Sequence, residues 1–256
     1  MSRTALVTGA ASGMGRIVAQ RLAAAGWQVA AVDLNADGLA TMAARSPNTH
    51  TYACDVSDSA QVRAVVDKVR AELGTIDRLV HAAGMAHVHA SVLDHDVAQI
   101  RKMMDINYIG TVNLCQAVIP AMKQAGAGTV VLFASLAGWL PSPGMAGYTA
   151  SKHAVVGFAD SLSYELHHTG VRLLVLCPPM VETPFLDAVR KENASVLGNA
   201  GGATPESIVD ALEKALAKPK SPLFVFPGQA RPAYLMRRLL PGLARAIVRR
   251  TVHPTE

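Results

Sequence analysis

Short apolar runs alternate with longer stretches of helical period along this chain. Thr4–Thr8, Gln28–Asp33, Thr49–Ala53, Arg78–Ala82, Thr129–Ala134, Arg172–Leu176 and Leu223–Phe226 have the length of strands. Between them, Met14–Ala25, Ala36–Ala44, Ser59–Glu72, Asp96–Gln124, Tyr148–His168 and Pro205–Ala217 read as helices. The strand segments are apolar throughout, as in LVLCP and VVLFA, rather than alternating. Such strands are covered on both faces, as in a parallel sheet between two helix layers. The repeated strand–helix order predicts an α/β fold, a Rossmann-type doubly wound parallel sheet of about seven strands flanked by helices. Nothing reads as a linker or an internal repeat. Residues 1–228 are expected to form one domain, with 229–256 as a helical extension of it.

Composition narrows the class. The chain has 256 residues, 50% hydrophobic and 17% charged, enough for one large core and unlike a disordered chain. Cys54, Cys115 and Cys177 lie far apart with no CxxC pair, which speaks against a disulfide framework and a structural zinc site. No apolar run reaches the ~18 residues of a membrane span. The opening MSRTALVTG enters a strand-like run at once, which does not fit a signal peptide. A reducing, cytoplasmic setting is the expectation.

The net charge of +5 is unevenly placed. Residues 1–228 hold 18 basic and 18 acidic side chains, while 229–256 hold six arginines (Arg231, Arg237, Arg238, Arg245, Arg249, Arg250) and one acid, Glu256. A balanced body without a basic aromatic stripe argues against nucleic acid as a partner. In the tail, Leu235, Leu239, Leu243 and Ile247 recur every four residues and share a face with Met236 and Leu240, opposite Arg237, Arg238, Arg245 and Arg249. Pro241-Gly242 divides this pattern into two short helices. A basic amphipathic segment over residues 231–250 suits packing on the body or on another subunit; it also suits peripheral contact with an anionic membrane.

The first strand runs into Thr8-Gly9-Ala10-Ala11-Ser12-Gly13-Met14-Gly15 and then a helix. Glycines let a backbone approach a pyrophosphate closely, and a helix N-terminus offers free N–H groups. The spacing is GxxxGxG rather than GxGxxG, and a tight strand-to-helix turn without a ligand has the same look. Asp33 ends the second strand 18 residues after Gly15. An acid at about that distance accepts hydrogen bonds from an adenosine ribose and repels the extra phosphate of NADP. No arginine follows it, which favours NAD; capping of the next turn is the alternative use. Asp55 follows the third strand, where a carboxylate either accepts from an adenine amino group or caps the helix beginning near Ser57.

Tyr148 and Lys152 sit four residues apart in a helical pattern and so share a face. A nearby ammonium favours the phenolate and is expected to lower the tyrosine pKa from ~10, letting it exchange a proton with a carbonyl or hydroxyl oxygen. Ser135 ends the fifth strand, VVLFAS, where ligands of open α/β sheets bind; serines there also serve turns. Asn107, a weak helix former, lies inside a helical pattern. A local kink holding a water and a solvent-facing side chain both account for it. Leu140, Met145, Met180, Phe185 and Leu186 surround the expected reaction centre, with Trp139 close by and no basic residue before Arg190. This favours an uncharged, fairly apolar substrate, since an anionic one wants a cation. His87, His89 and His95 lack a carboxylate-rich neighbourhood apart from Asp94 and Asp96, so no metal is expected.

Taken together, TGAASGMG, Asp55-Val56, Asn107 within NYIG, Ser135 and YTASK resemble the short-chain dehydrogenase/reductase family in order and approximate distance, over about residues 4–228. The resemblance implies that 1–228 is an NAD-binding catalytic domain. It implies Tyr148 as acid/base, Lys152 holding the nicotinamide ribose and tuning the tyrosine, Ser135 polarising the substrate oxygen, and Asn107 anchoring a water of a proton relay. It implies cofactor contacts from Gly9, Ser12, Gly13, Met14, Gly15, Asp33, Asp55, Val56, Ala83, Gly84, Tyr148, Lys152, Pro178 and Thr183, the last at the carboxamide. It also implies a homo-oligomer, commonly a tetramer. Two positions depart from the family pattern. His81 stands where the family has Asn, and Pro179 stands where it has Gly, which removes a backbone donor beside the nicotinamide. The expected activity is NAD-dependent interconversion of an apolar secondary alcohol and its ketone. Alternatives are an epimerase or dehydratase of the same family, or a non-catalytic NAD-binding, membrane-associated scaffold.

Overall fold

The computed structural model describes residues 3–44, 46–87, 91–141, 144–192 and 201–251. Seven parallel strands form one sheet in the order β3-β2-β1-β4-β5-β6-β7. They are β1 (Thr4–Thr8), β2 (Gln28–Asp33), β3 (Thr49–Ala53), β4 (Ile76–His81), β5 (Gly128–Phe133), β6 (Val171–Leu176) and β7 (Phe224–Val225). The helices between them are α1 (Gly13–Ala24), α2 (Ala36–Ala43), α3 (Ser59–Leu73), α4 (Val97–Met104), α5 (Gly110–Ala125), α6 (Ala146–Glu165), α7 (Pro184–Glu192) and α8 (Pro205–Leu216). Two short helices, α9 (Ala230–Leu239) and α10 (Pro241–Thr251), form the tail, divided at the Pro241-Gly242 break that the sequence marks.

Because successive side chains of a strand face opposite ways, uniformly apolar strands supply two cores. Leu6, Leu79 and Val130 face one side, against Val62 and Val66 of α3, Leu114 and Val118 of α5, and Val155 of α6. Val7, Val80 and Val131 face the other, against Val18 and Leu22 of α1, Leu39 of α2, and Ile208 and Leu212 of α8. The chain reverses its winding between β3, at one edge, and β4, beside β1. A crevice opens at the carboxyl ends of strands at such a switch point.

One buried hydrogen-bonded chain ties β1 to β4 at the mouth of that crevice. The Ala83 N–H donates to Thr8 Oγ1 at 3.2 Å, and the Thr8 hydroxyl lies 2.7 Å from His81 Nδ1. The hydroxyl has one hydrogen and a second lone pair beyond its bond to Ala83, so the tautomer of the ring sets the direction of the bond to Nδ1. Nε2 is buried without a hydrogen-bond partner. Burial, aided by the charge of Lys152, drives the His81 pKa down to about 3, so the ring is neutral. His81 thus joins the two central strands in the place where the family pattern has Asn. Thr8→Val keeps the shape but strands both partners. We expect it to destabilise the fold by about 1–3 kcal/mol, read as a fall in Tm; an unchanged Tm contradicts this assignment.

Candidate active site

A cavity of about 620 Å³ runs along the switch point. Its floor is the turn after β1. Gly9 and Gly13 hold φ of +66° and +53°, in the left-handed region that favours glycine. A Cβ on Gly15 would stand 2.2 Å from the Gly9 carbonyl oxygen, a backbone clash that no rotamer relieves. The helix behind the turn starts without a side-chain cap. Asn35, Asp58 and Thr204 cap α2, α3 and α8 with their side chains, but Ser12 makes no such bond to α1. The first N–H groups of α1 are thus left without a side-chain cap beside three glycines, the donor set that an anionic pyrophosphate requires.

Asp33 stands at the far end of this floor. Its Oδ2 accepts from the Ala11 N–H at 3.0 Å and its Oδ1 from the Asn35 N–H at 2.9 Å. These bonds fix the carboxylate on the cleft wall, and each oxygen keeps a lone pair. Asp55 lines the cleft as well, but Oδ1 accepts from both the Ser57 N–H (2.9 Å) and the Ser57 hydroxyl (2.7 Å). Asp58, not Asp55, caps α3, accepting from Ala60 and Gln61. Val56, Ala83, Gly84 and Pro178, which the resemblance implies as cofactor contacts, also line the cleft. Thr183 comes in from above the turn, its Cγ2 3.5 Å from where a Cβ on Gly13 would lie.

At the inner end Ser135, Tyr148 and Lys152 converge. Ser135 Oγ accepts from the Ala137 N–H at 3.1 Å, starting a 3-10 turn over Leu136–Gly138, and lines the cleft together with Tyr148. It therefore serves both as turn cap and as site residue. Lys152 donates from Nζ to the Phe133 carbonyl oxygen at 2.9 Å, which leaves two N–H donors. Gly84 leaves room beside the buried amide: a Cβ there would stand 3.0 Å from Asn107 Oδ1, a tight contact, and 3.6 Å from Lys152 Nζ, an ordinary one.

The expected lowering of the tyrosine pKa is not what this cleft shows. Burial pushes the Tyr148 phenol up to about 12, and the nearby Ser135 side chain opposes this only in part. Burial also lowers Lys152 to about 8. The ammonium lies 5.8 Å from the phenol ring centre, and the desolvation of both groups outweighs its attraction.

Asn107 is buried and does not line the cleft, which excludes the solvent-facing alternative. The helix predicted over 96–124 is interrupted by a π turn, Asp105–Ile109, whose extra residue turns Asn107 inward. Its Nδ2 donates to the Met85 carbonyl (2.8 Å) and to Ser151 Oγ (2.9 Å), and Oδ1 accepts from the Met85 N–H (2.8 Å). Both amide hydrogens are used. Ser151 in turn donates to the Tyr148 carbonyl at 2.8 Å. The side chain thus fixes Met85 on the cleft wall and the first turn of α6.

The remaining wall is apolar: Leu140, Met145, Met180, Phe185 and Leu186, all named from sequence, together with Met85, Leu136 and Val189. Pro179 lines it too. Phe185 approaches Tyr148 with ring centres 6.2 Å apart. Sequence reasoning missed α7, which carries Phe185, Leu186 and Val189. Thr183-Pro184 ahead of an i, i+1, i+4 apolar set was a readable start signal. It also missed the clamp that holds α7. Arg190 binds Glu182 in a forked pair (2.7 and 3.0 Å), and the Gly202 N–H donates to the same carboxylate. The first basic residue after the apolar wall is thereby neutralised. His89 lies outside the described residues; the rings of His87 and His95 are 5.2 Å apart. Among the described residues no three His, Cys, Asp or Glu gather in a metal-like group.

Residues 3–194 match the family model described as short chain dehydrogenase. The chain is 41% identical over 185 residues to 2-dehydro-3-deoxy-L-rhamnonate dehydrogenase (NAD(+)) of Sphingomonas sp. (strain SKA58), covering 72% of this chain and 74% of that protein. It is 31% identical over 255 residues to estradiol 17-beta-dehydrogenase 11 of Macaca fascicularis, covering 97% and 82%. Among solved structures, a short-chain dehydrogenase from Streptomyces avermitilis superposes with a TM-score of 0.85 at 26% identity, covering 96% of both chains.

Proposed function

The chain belongs to the short-chain dehydrogenase family, enzymes that act on CH–OH groups with a nicotinamide cofactor, and we propose that within it this protein interconverts an uncharged, apolar secondary alcohol and its ketone using NAD. The observation that carries this reading is the meeting of Ser135, Tyr148 and Lys152 against a wall of Leu140, Met145, Met180, Phe185 and Leu186. The name of one relative, estradiol 17-beta-dehydrogenase 11, points to an apolar alcohol, and another carries NAD(+) in its name.

The uncapped start of α1 would hold the pyrophosphate, Asp33 would accept from the adenosine ribose hydroxyls, and Thr183 and Lys152 would hold the nicotinamide end. A bound nicotinamide supplies the hydride acceptor or donor. The protein's own residues handle the proton. In oxidation, deprotonated Tyr148 takes the hydroxyl proton of the alcohol. Ser135 has one hydrogen and one lone pair beyond its bond to Ala137, and these orient the substrate oxygen between the two hydroxyls. Lys152 stabilises the phenolate with its remaining N–H donors. The apolar wall excludes water and holds the carbon in place. The negative charge of Asp33 disfavours the additional phosphate of NADP.

The proton inventory sets the pH dependence. The phenol and ammonium pair loses its first proton near the lower of the two values, about 8. Oxidation requires the pair with that proton gone, so kcat/KM rises about tenfold per pH unit up to about pH 8 and then levels. Reduction requires it present, so kcat/KM is level below about pH 8 and falls above. Lys152→Met moves both limbs upward, toward the phenol's own value. A limb that stays in place in this variant contradicts the assignment.

An absorbance screen for NADH formation and consumption, over apolar secondary alcohols and ketones and in parallel with NADP, tests the proposal. It expects turnover with NAD on uncharged substrates. Turnover confined to anionic substrates, or far better use of NADP, overturns it.

A further inference from the structure

The tail carries an apolar ridge and a set of arginines that the cleft does not use. α9 and α10 pack on each other and are held to the body by Tyr234. Its ring stacks on Phe226 at 4.1 Å and meets Trp139 edge-on at 5.0 Å, while Ala230 and Ala244 are buried. The leucines stay uncovered. Leu239 is 70% exposed and Leu243 52%, and Leu235, Leu240 and Ile247 are exposed as well. A single exposed leucine is ordinary, but four leucines and an isoleucine on one helical hairpin form a surface that calls for a partner.

Charge identifies that partner. Residues 230–251 contain six arginines and no acid, whereas 1–228 balance to zero. Arg231, Arg238, Arg245, Arg249 and Arg250 are exposed, and among the described residues no ion pair engages them. Among the described residues, Arg238 donates to the Tyr234 hydroxyl, at 2.9 Å. A second copy of this face is a poor partner: in a two-fold contact the same patch meets itself, setting arginines against arginines with no acid between them. A surface that is apolar beneath and anionic at its boundary satisfies both features.

We propose that the α9–α10 hairpin docks the protein on an anionic lipid surface, with the leucines at the acyl boundary and the arginines on headgroup phosphates. The hairpin is anchored next to the substrate wall, since Trp139 directly precedes Leu140 of the cleft. The docking rests on the tail alone. Only its use, supplying an apolar alcohol from the bilayer, rests on the function proposed above.

Flotation of the full chain with vesicles tests this without reference to turnover. The protein is expected to float with phosphatidylglycerol–phosphatidylcholine vesicles, less so at high salt, and not with phosphatidylcholine alone. Arg249→Glu with Arg250→Glu lowers the partition by about thirtyfold or more. Leu239→Ser with Leu243→Ser also lowers it, with circular dichroism and NADH affinity unchanged. Three results overturn the proposal: no flotation with either vesicle, equal flotation with both, or a dimer in light scattering that the leucine variant abolishes, which would give the face to a second copy.

Discussion

Tyr148→Phe loses turnover by about 10²–10⁴-fold while NADH still binds. The substitution removes one oxygen from a ring that is buried and packed near Phe185, so the cavity keeps its shape. What disappears is the hydroxyl that exchanges the substrate proton in the proposed reaction. The turn of Gly9–Gly15 and the carboxylate of Asp33 belong to other elements and are untouched, so a fluorescence titration of NADH should give an affinity close to that of the parent. A protein that merely holds a dinucleotide would show the same behaviour before and after. Full turnover by the variant removes the phenol from the mechanism.

Asp33→Asn lowers the preference for NAD over NADP by about 10–100-fold. The amide keeps one acceptor oxygen, enough to hold either the Ala11 or the Asn35 N–H, so the β2 end stays near its present shape. It loses the charge and one acceptor at the ribose. The first loss lifts the repulsion of a phosphate, and the second weakens the hydroxyl contacts. Both act on the ratio of kcat/KM values for the two cofactors, which is the quantity to measure. An unchanged ratio places the selection elsewhere on the cleft.

The parts of this molecule that were legible in the sequence are those with a local signature. Uniform apolarity marked β1 and β2, which are covered on both faces, whereas β3, an edge strand reading THTYA, alternates in burial; the predicted ends of all three coincide with the observed ones. The glycine turn, Asp33, Ser135 and the Tyr148–Lys152 spacing are each local, and the fold brings them to one cleft. Long-range features were not legible. The Glu182–Arg190–Gly202 clamp joins residues up to 20 apart with no periodic signal. The π turn at Asp105–Ile109 leaves helical periodicity nearly intact on both sides, so one continuous helix was the natural reading. The oddity of Asn107 pointed to that place without saying which way the side chain turned. Spacing also gave the wrong sign for the tyrosine. It placed an ammonium near a phenol, but burial of both groups, which only the fold determines, decides the shift.

An apolar secondary alcohol carrying deuterium on its carbinol carbon tests the central claim most directly. Incubated with the protein and NAD, it should give ketone and singly deuterated NADH in equal amounts by mass spectrometry. Product formed with no net NADH, or deuterium recovered in water, contradicts hydride transfer to NAD as the reaction of this site.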